Sequence, residues 1–563
     1  MMRPSEQPDL VAPGEDEAPA RFTGVAGDSI RVASFTLASR VTGVVKVAVI
    51  GAVLGPTFFG NTFQLTNTLP NLIYYGFLAG SLFVSLLVPT LVGHVNTGGL
   101  RSAERVAGGF LGLTLLALAA VAPVAVLFGP LLLRIAGPGA AAGATASQEH
   151  VGRVLVVMFI PQVFCYCVVG TATSAMNTRR RFTLAAAAPA MENLGIIAVL
   201  GATAVLFGNR TTIDSVTTPE LLLLGLGTTG AVALHAAVQW WGARRAGITL
   251  LPRAGWRDPE VRALVRRAVP SIAQAGLMAV QVLSLLALAN RVAGGVVAFQ
   301  IALNFYFLAI ALGATPVALS LLPRLATLDL RGDLAGFRDT LMRGFALGLF
   351  IAVPSAVGYA VLAEPIARAV AIGRMGSADG IALVAAGIAP LAFAVVAQTA
   401  FAIASYAAFA RKDTTSPLIS MALQAVCCLS FAGLALRVHG SATITVLGAA
   451  YGAAMAVAAT HLILRLRRRL GPASHRVSPS LVKIGLGAAL MAAPVLYVAR
   501  GVGAAVRPPL GPMSAVLAAA VAGLGVFVAT QLAMRTSELR ALTGGLMQMV
   551  TRRRRARQGA GDV

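Results

Sequence analysis

The stretch that decides the fold covers residues 34–89 and reads SFTLASRVTGVVKVAVIGAVLGPTFFGNTFQLTNTLPNLIYYGFLAGSLFVSLLVP. It holds two long apolar segments that meet at Gly55-Pro56, and a helix needs about 20 apolar residues to cross a bilayer. Arg40 and Lys46 lie inside the first segment. A cation near the centre of a spanning helix costs roughly 2.5–3.5 kcal/mol on insertion scales. Both side chains are therefore predicted to face a polar cavity or the interior of a helix bundle, not lipid.

The spacing of these two cations limits the shape of such a cavity. At roughly 100° per residue, positions six residues apart lie about 120° apart around a helix. Arg40 and Lys46 can both line a broad cavity, but they cannot share a narrow stripe. We interpret the first segment as one wall of a hydrated, cationic, membrane-embedded cavity. The competing interpretation is that either side chain reaches a membrane interface along its aliphatic stem.

The composition is that of a membrane protein. Of 563 residues, 57% are hydrophobic and only 12% are charged, whereas soluble proteins carry about 25% charged residues. The apolar runs are far too long for barrel strands. The predicted fold class is all-α, a polytopic membrane protein with about 14 transmembrane helices. The four cysteines lie in apolar runs, which argues against a structural disulfide or a zinc site.

The net charge of +24 indicates membrane topology and not nucleic-acid binding, because the basic residues are scattered over short loops. With an N-terminus inside the cell, about three quarters of the Lys and Arg residues fall in cytoplasmic regions, as the positive-inside rule requires. The predicted location is a bacterial cytoplasmic membrane, crossed many times, with both termini in the cytoplasm. The sequence lacks the basic start and apolar core of a secretory signal peptide.

No enzyme motif is present: the sequence has no phosphate-binding loop for ATP, no zinc-protease motif and no nucleophile–base pair. No cofactor is predicted, so any transport must use an ion gradient, the membrane potential or substrate supply. Glu192 is an intramembrane acid that can pair with Lys46 or Arg40, or can bind a proton or cation that couples to transport. The competing interpretation is a neutral, capped acid near the cytoplasmic end of its span. His235 is interpreted as an interhelical hydrogen-bond donor in preference to a proton relay.

Several motifs resemble the MurJ/MviN family of bacterial lipid II flippases, within the multidrug/oligosaccharidyl-lipid/polysaccharide exporter superfamily. The resemblance covers roughly residues 30–436. The motifs are Ser39-Arg40, Gly43, Lys46, Gly55, Leu69-Pro70-Asn71-Leu72, Gly80 and Pro89, then Ala175-Met176-Asn177-Thr178-Arg179, and finally the turn from Phe409 to Pro417. The resemblance implies two six-helix lobes plus two C-terminal helices, and alternating access of a central cavity to each side of the membrane.

This layout divides the chain into six regions. Residues 1–28 are predicted to be a disordered cytoplasmic tail. Residues 29–243 form an N-lobe of spans 1–6, residues 244–267 a cytoplasmic linker, and residues 268–464 a C-lobe of spans 7–12. Residues 465–534 contain spans 13 and 14, and residues 535–563 are a basic cytoplasmic tail.

The resemblance also implies a substrate, a lipid-linked pyrophosphate, and residues to hold it. Arg40 can bind phosphate oxygens with two parallel hydrogen bonds, and Lys46 can act as a compact charge. The sequence departs from the family where charges are expected, at Val47, Asn61, the Tyr74-Tyr75 pair and Asn304. The candidate substrate-binding residues are Arg40, Lys46, Asn61, Tyr74 and Asn304.

Three functions stay open on the sequence alone. The leading prediction is a flippase for the undecaprenyl-pyrophosphate-linked peptidoglycan precursor, lipid II. The missing charges favour a paralogous exporter of another lipid-linked glycan or amphiphile. The third alternative is a non-transporting membrane scaffold that recruits cell-wall synthesis proteins. The partners predicted for the first two are the lipid-linked substrate and membrane lipids.

Overall fold

The structure, a computed structural model, describes residues 18–74, 86–135, 142–208, 212–471, 478–506 and 510–540. These ranges form helices joined by short turns. The α-helices are α1 Ala18–Leu54, α2 Phe58–Tyr74, α3 Val88–Ile135, α4 Ala142–Thr178, α5 Phe182–Phe207, α6 Thr218–Arg245, α7 Pro259–Ala289, α8 Gly295–Leu312, α9 Ala314–Leu330, α10 Leu334–Val361, α11 Ala363–Val370, α12 Ala378–Ala410, α13 Thr415–Ala432, α14 Ser441–Leu470, α15 Ser478–Ala505 and α16 Leu510–Ala533. Short 3-10 helices cover Gly255–Arg257, Gly373–Gly376 and Gly433–Arg437.

The described ranges contain 13 helical segments that are long and apolar enough to cross a membrane. This confirms the predicted all-α, polytopic fold class. One such segment, Gly295–Leu330, combines α8 and α9, which are separated at Gly313. The second span expected from the sequence crosses residues 75–85, which lie outside the described residues.

The helices pack as two groups. We call α1–α6 the N-lobe and α7–α14 the C-lobe. In the N-lobe, α1 packs on α5, and α4 packs on both α3 and α6. In the C-lobe, α12 is central and packs against α8, α9, α10 and α14. The last two helices, α15 and α16, pack on each other and reach the C-lobe through α10 and α11.

The segment between the lobes is fixed against α3 of the N-lobe. The backbone N–H of Arg253 donates to the carbonyl oxygen of Gly108 (2.9 Å). The N–H of Thr249 donates to the carboxylate of Glu104 (2.7 Å). Gly112 provides the necessary space, because a Cβ there would lie 2.0 Å from the Arg253 carbonyl oxygen. The connection is therefore a packed part of the N-lobe and not a free tether.

Two side-chain contacts extend this attachment to the first turn of α7. Arg105 forms an ion pair with Asp258 (3.6 Å). Nε2 of His94 lies 3.3 Å from Oε2 of Glu260. Asp258 also caps α7 by accepting a hydrogen bond from the N–H of Glu260 (2.9 Å). The start of the C-lobe is thus held against α3.

The turn between α12 and α13 contains the last of the family-like motifs, and its acid has a structural role. The Asp413 carboxylate accepts hydrogen bonds from the N–H of Ser416 (2.9 Å) and from its hydroxyl (2.5 Å). It also pairs with Arg469 of α14. Burial opposes ionisation of Asp413, but the hydrogen bonds from Ser416 and the charge of Arg469 outweigh it and lower the pKa of this carboxyl. The motif therefore fastens the α12–α13 turn to α14.

The packing of the linker can be tested by limited proteolysis. In Gly112→Ala, the added methyl group collides with the Arg253 backbone and must displace the linker. We expect trypsin to cleave after Arg253 and Arg257 about three- to tenfold faster, because local opening exposes the backbone. Cleavage of the purified protein in detergent measures this. Gly93→Ala is the matched control, since a Cβ at that position of α3 meets nothing within 4 Å. Equal cleavage rates in both variants would contradict a packed linker.

Candidate functional site

A buried carboxylate at the centre of the N-lobe joins three helices by hydrogen bonds. Glu192, on α5, is 7% exposed. Its Oε1 accepts a hydrogen bond from the Tyr166 hydroxyl of α4 (2.9 Å). Its Oε2 lies 2.8 Å from Nδ1 of His235 on α6. Both oxygens of the acid are therefore satisfied within the protein, as a buried carboxylate requires.

Lys46 brings α1 into the same cluster. Its side chain is half-buried, and its charge and that of Glu192 attract each other. An isolated charge in an apolar slab is costly, and an opposite charge nearby offsets part of that cost. The pairing of Glu192 with Lys46 stays a prediction, because the two charges attract each other but no hydrogen bond or ion pair joins them among the described residues. We call Lys46, Tyr166, Glu192 and His235, together with Gln239, the N-lobe cluster.

Gln239 completes the N-lobe cluster one turn along α6. Its Nε2 lies 3.4 Å from Nε2 of His235 and 3.4 Å from the carbonyl oxygen of Ala185. Gln239 is fully buried, and its Oε1 has no hydrogen-bond partner among the described residues. Gln239 is therefore the last residue of this hydrogen-bonded series, and its Oε1 accepts no hydrogen bond from the described residues.

The lobes approach each other at Gly43 of α1, three residues beyond Arg40. A Cβ at Gly43 would lie 3.7 Å from Nδ2 of Asn193 on α5 and 4.0 Å from Oδ1 of Asn304 on α8. Asn193 also donates to the carbonyl oxygen of Ser39 (3.2 Å). Arg40 lies one turn away from this junction, and its side chain is exposed.

Asn61 forms hydrogen bonds that join the two lobes. It is fully buried; its Nδ2 donates to the carbonyl oxygen of Val292 (2.8 Å) and its Oδ1 accepts from the N–H of Val296 (3.0 Å). A carboxylate at this position could not donate to a carbonyl oxygen. This explains physically why an amide fits where the family resemblance leads one to expect an acid. Asn61 as a substrate ligand stays a prediction, and in this conformation both of its polar groups are engaged.

Further contacts join the two lobes near Asn61. Gly294, with φ +75°, lies against Pro56, where a Cβ would come within 2.3 Å of backbone. Its N–H donates to the carbonyl oxygen of Thr57 (3.3 Å). Gln148 of α4 donates to Oδ1 of Asn290 (3.4 Å). We call this region, made by the α1–α2 and α7–α8 turns, the closed end.

The C-lobe contains a separate pocket between α7, α8, α12, α13 and α14. Its polar side chains include Gln281, Gln424 and Tyr306, whose hydroxyl donates to Gln398 (3.2 Å). Three methionines and two phenylalanines form most of the remaining wall. No carboxylate is among the residues that line it.

The structure thus brings some of the predicted site residues together and separates others. Lys46 and Glu192 share the N-lobe cluster, and Asn304 meets α1 beside it. Asn61 belongs to the closed end. Tyr74 is the last residue of α2, but its side chain, like the whole of Tyr75, lies outside the described residues.

Three contributors were missed by the sequence analysis: Tyr166, Asn193 as a ligand of the α1 backbone, and Gln239. Tyr166 and Gln239 are isolated polar residues in long apolar runs, and Asn193 directly follows Glu192. The adjacency of Asn193 to an intramembrane acid is the one local signal that could have indicated it.

This architecture is that of a membrane transporter made of two helical lobes. A solved structure titled Lipid II flippase MurJ, inward closed conformation, matches with a TM-score of 0.70 and 14% identity, over 90% of this chain and 99% of that one. An inward-facing multidrug resistance MATE transporter of the MOP superfamily matches with a TM-score of 0.55 and 14% identity, over 78% of this chain and 94% of that one. At these identities the two matches concern the fold alone.

Sequence comparison narrows the class to one family. A probable lipid II flippase MurJ of Rhizobium tropici is 27% identical over 390 residues, which are 69% of this chain and 71% of the relative. One from Rhizobium meliloti strain 1021 is 28% identical over 418 residues, 74% of each chain. The profile of the family described as Lipid II flippase MurJ matches residues 50–518. The chain belongs to the lipid II flippase MurJ family.

The contribution of the N-lobe cluster to stability can be measured with Tyr166→Phe. The variant removes the hydroxyl that donates to Glu192 and leaves one oxygen of a buried carboxylate without that partner. We expect the free energy of unfolding to fall by about 1–3 kcal/mol, seen as a lower thermal midpoint in detergent. Tyr497→Phe is the control, because Tyr497 is 81% exposed on α15. Equal midpoints for the two variants would show that the hydroxyl does not stabilise the buried acid.

Proposed function

We infer that this protein translocates lipid II, the undecaprenyl-pyrophosphate-linked peptidoglycan precursor, across the cytoplasmic membrane by alternating access. The single observation that carries the inference is the family match over residues 50–518. The two-lobe fold supports it, because rocking of one lobe against the other exposes a central site to each side in turn. A flippase is a transporter and not an enzyme.

The headgroup of the proposed substrate explains cations within a spanning helix. A pyrophosphate is strongly anionic, and the low dielectric of the membrane interior makes its transfer unfavourable without positive partners. Arg40, exposed one turn from the lobe junction, is suited to bind phosphate oxygens in a bidentate manner. Lys46 lies further along the same helix as a second positive charge. The amide of Asn304 and the hydroxyl of Tyr74 are proposed to contact the headgroup without adding charge.

We also propose an orientation and an energy source. With the Arg-rich cytoplasmic regions inside, both termini lie in the cytoplasm and the closed end faces outwards. The cycle then draws on an ion gradient or the membrane potential, since the sequence has no nucleotide-binding motif. Cell-wall synthesis proteins are the partners proposed to supply or receive the lipid.

Replacement of the host's own flippase tests the function. Cells depleted of their essential flippase are complemented with wild type, Arg40→Ala or Arg500→Ala. We expect wild type and Arg500→Ala, which alters an exposed arginine of α15, to restore growth. Loss of a charge-assisted contact worth about 1.5–3 kcal/mol should lower the translocation rate of Arg40→Ala about 10- to 100-fold. Growth and the rate of lipid II appearance in the outer leaflet are the measurements.

Two outcomes would contradict the proposed function, and a third would contradict the role of Arg40. Failure of wild type to rescue, together with transport of a different lipid-linked glycan in vesicles, would indicate a paralogous exporter. If wild type neither rescues growth nor transports a lipid-linked glycan in vesicles, the protein is a scaffold that does not transport. Equal rescue by Arg40→Ala and wild type would remove Arg40 from the binding site.

The proposed orientation has its own test. Alkaline phosphatase, which is active only outside the cytoplasm, is fused at the C-terminus or inserted near Ile213 in the α5–α6 turn. We expect an inactive C-terminal fusion and an active fusion at Ile213, because the positive-inside rule places these sites on opposite sides. The reverse pattern would contradict the orientation.

A further inference from the structure

We propose that the N-lobe cluster is a proton-binding site, with the proton taken up at Nε2 of His235, and that its occupancy strengthens the binding of the anionic headgroup. The proposal rests on the proposed function for the identity of that headgroup. The proton site itself rests only on the geometry of the cluster.

The hydrogen-bond geometry leaves one position for an added proton. Nδ1 of His235 faces the Glu192 carboxylate, which accepts hydrogen bonds, so Nδ1 carries a hydrogen. In the neutral imidazole Nε2 is then an acceptor, and it faces the amide nitrogen of Gln239, a donor. Uptake of a proton from water converts Nε2 into a donor and makes the ring an imidazolium.

The side-chain amide of Gln239 can form a hydrogen bond with His235 after Nε2 becomes a donor. Its Oε1 is buried without a hydrogen-bond partner among the described residues, although buried polar atoms are normally paired. A half-turn of the amide brings Oε1 towards Nε2–H of the imidazolium and gives both atoms a partner. The turn exchanges the two 3.4 Å contacts of the amide nitrogen, with Nε2 of His235 and with the Ala185 carbonyl oxygen, for this bond. Gln239 can therefore offer an acceptor to a protonated His235 as well as a donor to a neutral one.

A metal cation fits the cluster poorly. Both oxygens of Glu192 already accept hydrogen bonds from Tyr166 and His235. The positive charge of Lys46 is also close to the acid. Sodium and similar hard cations prefer several oxygen ligands, and no group of three or more His, Cys, Asp or Glu residues suited to a metal occurs in the described part of the chain. A proton needs only one lone pair.

The titratable side chains that interact with Glu192 come from α1, α4 and α6, which pack on α5. They are Lys46 on α1, Tyr166 and Cys165 on α4, and His235 on α6. With His235 neutral, the charges of Lys46 and Glu192 cancel. One added proton leaves a net positive charge, and the carboxylate then interacts with the imidazolium as well as with Lys46.

This charge change links protons to the substrate. With the carboxylate shared between two cations, Lys46 is less strongly held and is more available to an anionic headgroup. Proton binding and headgroup binding then favour each other, and thermodynamic linkage makes the effect equal in both directions. The direction is definite: affinity for a lipid pyrophosphate rises as the pH falls.

Histidine NMR on the full-length protein in nanodiscs reads the proton site without any substrate. The chain has six histidines, and the His235 signal is the one lost in His235→Asn. Asparagine retains a donor near the position of Nδ1, which preserves the bond to Glu192. We expect the His235 ring of wild type to gain a hydrogen at Nε2 when the buffer is acidified. A ring that keeps one protonation state at every pH at which the protein stays folded overturns the proposal, whatever the substrate does.

The linkage is measured with undecaprenyl pyrophosphate as the probe. We expect its addition at about pH 7 to increase the charged fraction of His235, and its affinity to fall about tenfold from pH 5.5 to pH 8 in wild type. His235→Asn should reduce this change to less than about twofold. His461→Asn is the matched control and should behave as wild type, because His461 lies on a spanning helix but bonds to Ser420.

The possible results distinguish failure of the proton site or of its linkage from failure of the proposed function. Lipid that binds with the same affinity at all pH values, and leaves His235 unchanged, overturns the linkage. An affinity that follows sodium at constant pH, and does not follow pH, would indicate a cation site and overturn the proton site. Absence of lipid binding at every pH contradicts the proposed function, and the titration of His235 in the protein alone then decides the proton site.

Discussion

The constraint on which this structure depends is the cost of a charge inside an apolar slab. Glu192 carries a carboxylate in the middle of the N-lobe, and three neighbouring helices each direct a polar or charged group towards it. Because an unpaired buried charge is far more destabilising than a paired one, the hydrogen bonds of Glu192 hold α4, α5 and α6 in one relative arrangement. The charge of Lys46 on α1 adds an electrostatic attraction to the same acid.

The contacts at the closed end are of a different kind. Asn61 and the backbone of the α7–α8 turn join the lobes through neutral hydrogen bonds. Such bonds exchange for bonds to water with a net change of only about 1 kcal/mol each. The N-lobe is thus stabilised internally by charge, whereas the lobes contact each other here through groups that water can replace. This difference is suited to a molecule in which rigid lobes move and their interface opens.

Much of the fold follows from the sequence, and the reason is physical. Apolar runs of about 20 residues can only be spanning helices in a bilayer, so the all-α class and the order of helices are determined locally. The family-like turn at Asp413 could be located in the same way, and the structure adds its partner, Arg469. That partner lies on a different helix, and no local pattern specifies it.

The candidate site was harder to predict from the sequence for the same reason. Arg40, Lys46 and Glu192 stand out because charges are rare in apolar runs. Their partners are ordinary residues, such as Tyr166 and Gln239, that become significant only when helices distant in sequence pack together. Asn61 was predicted to contact substrate from its alignment with a charged family position. Its bonds to Val292 and Val296 depend on the docking of a second lobe, which the sequence pattern does not encode.

The central claim is that the first spanning helix directs positive charge into water between the lobes, where an anionic headgroup can reach it. The most direct measurement is thiol accessibility of Arg40→Cys in a protein whose four native cysteines are replaced by serine. We expect a charged, membrane-impermeant methanethiosulfonate reagent to modify this position from the cytoplasmic side. We also expect undecaprenyl pyrophosphate to slow the reaction. A thiol that does not react with the charged reagent, but does react with one dissolved in the lipid phase, would contradict the claim.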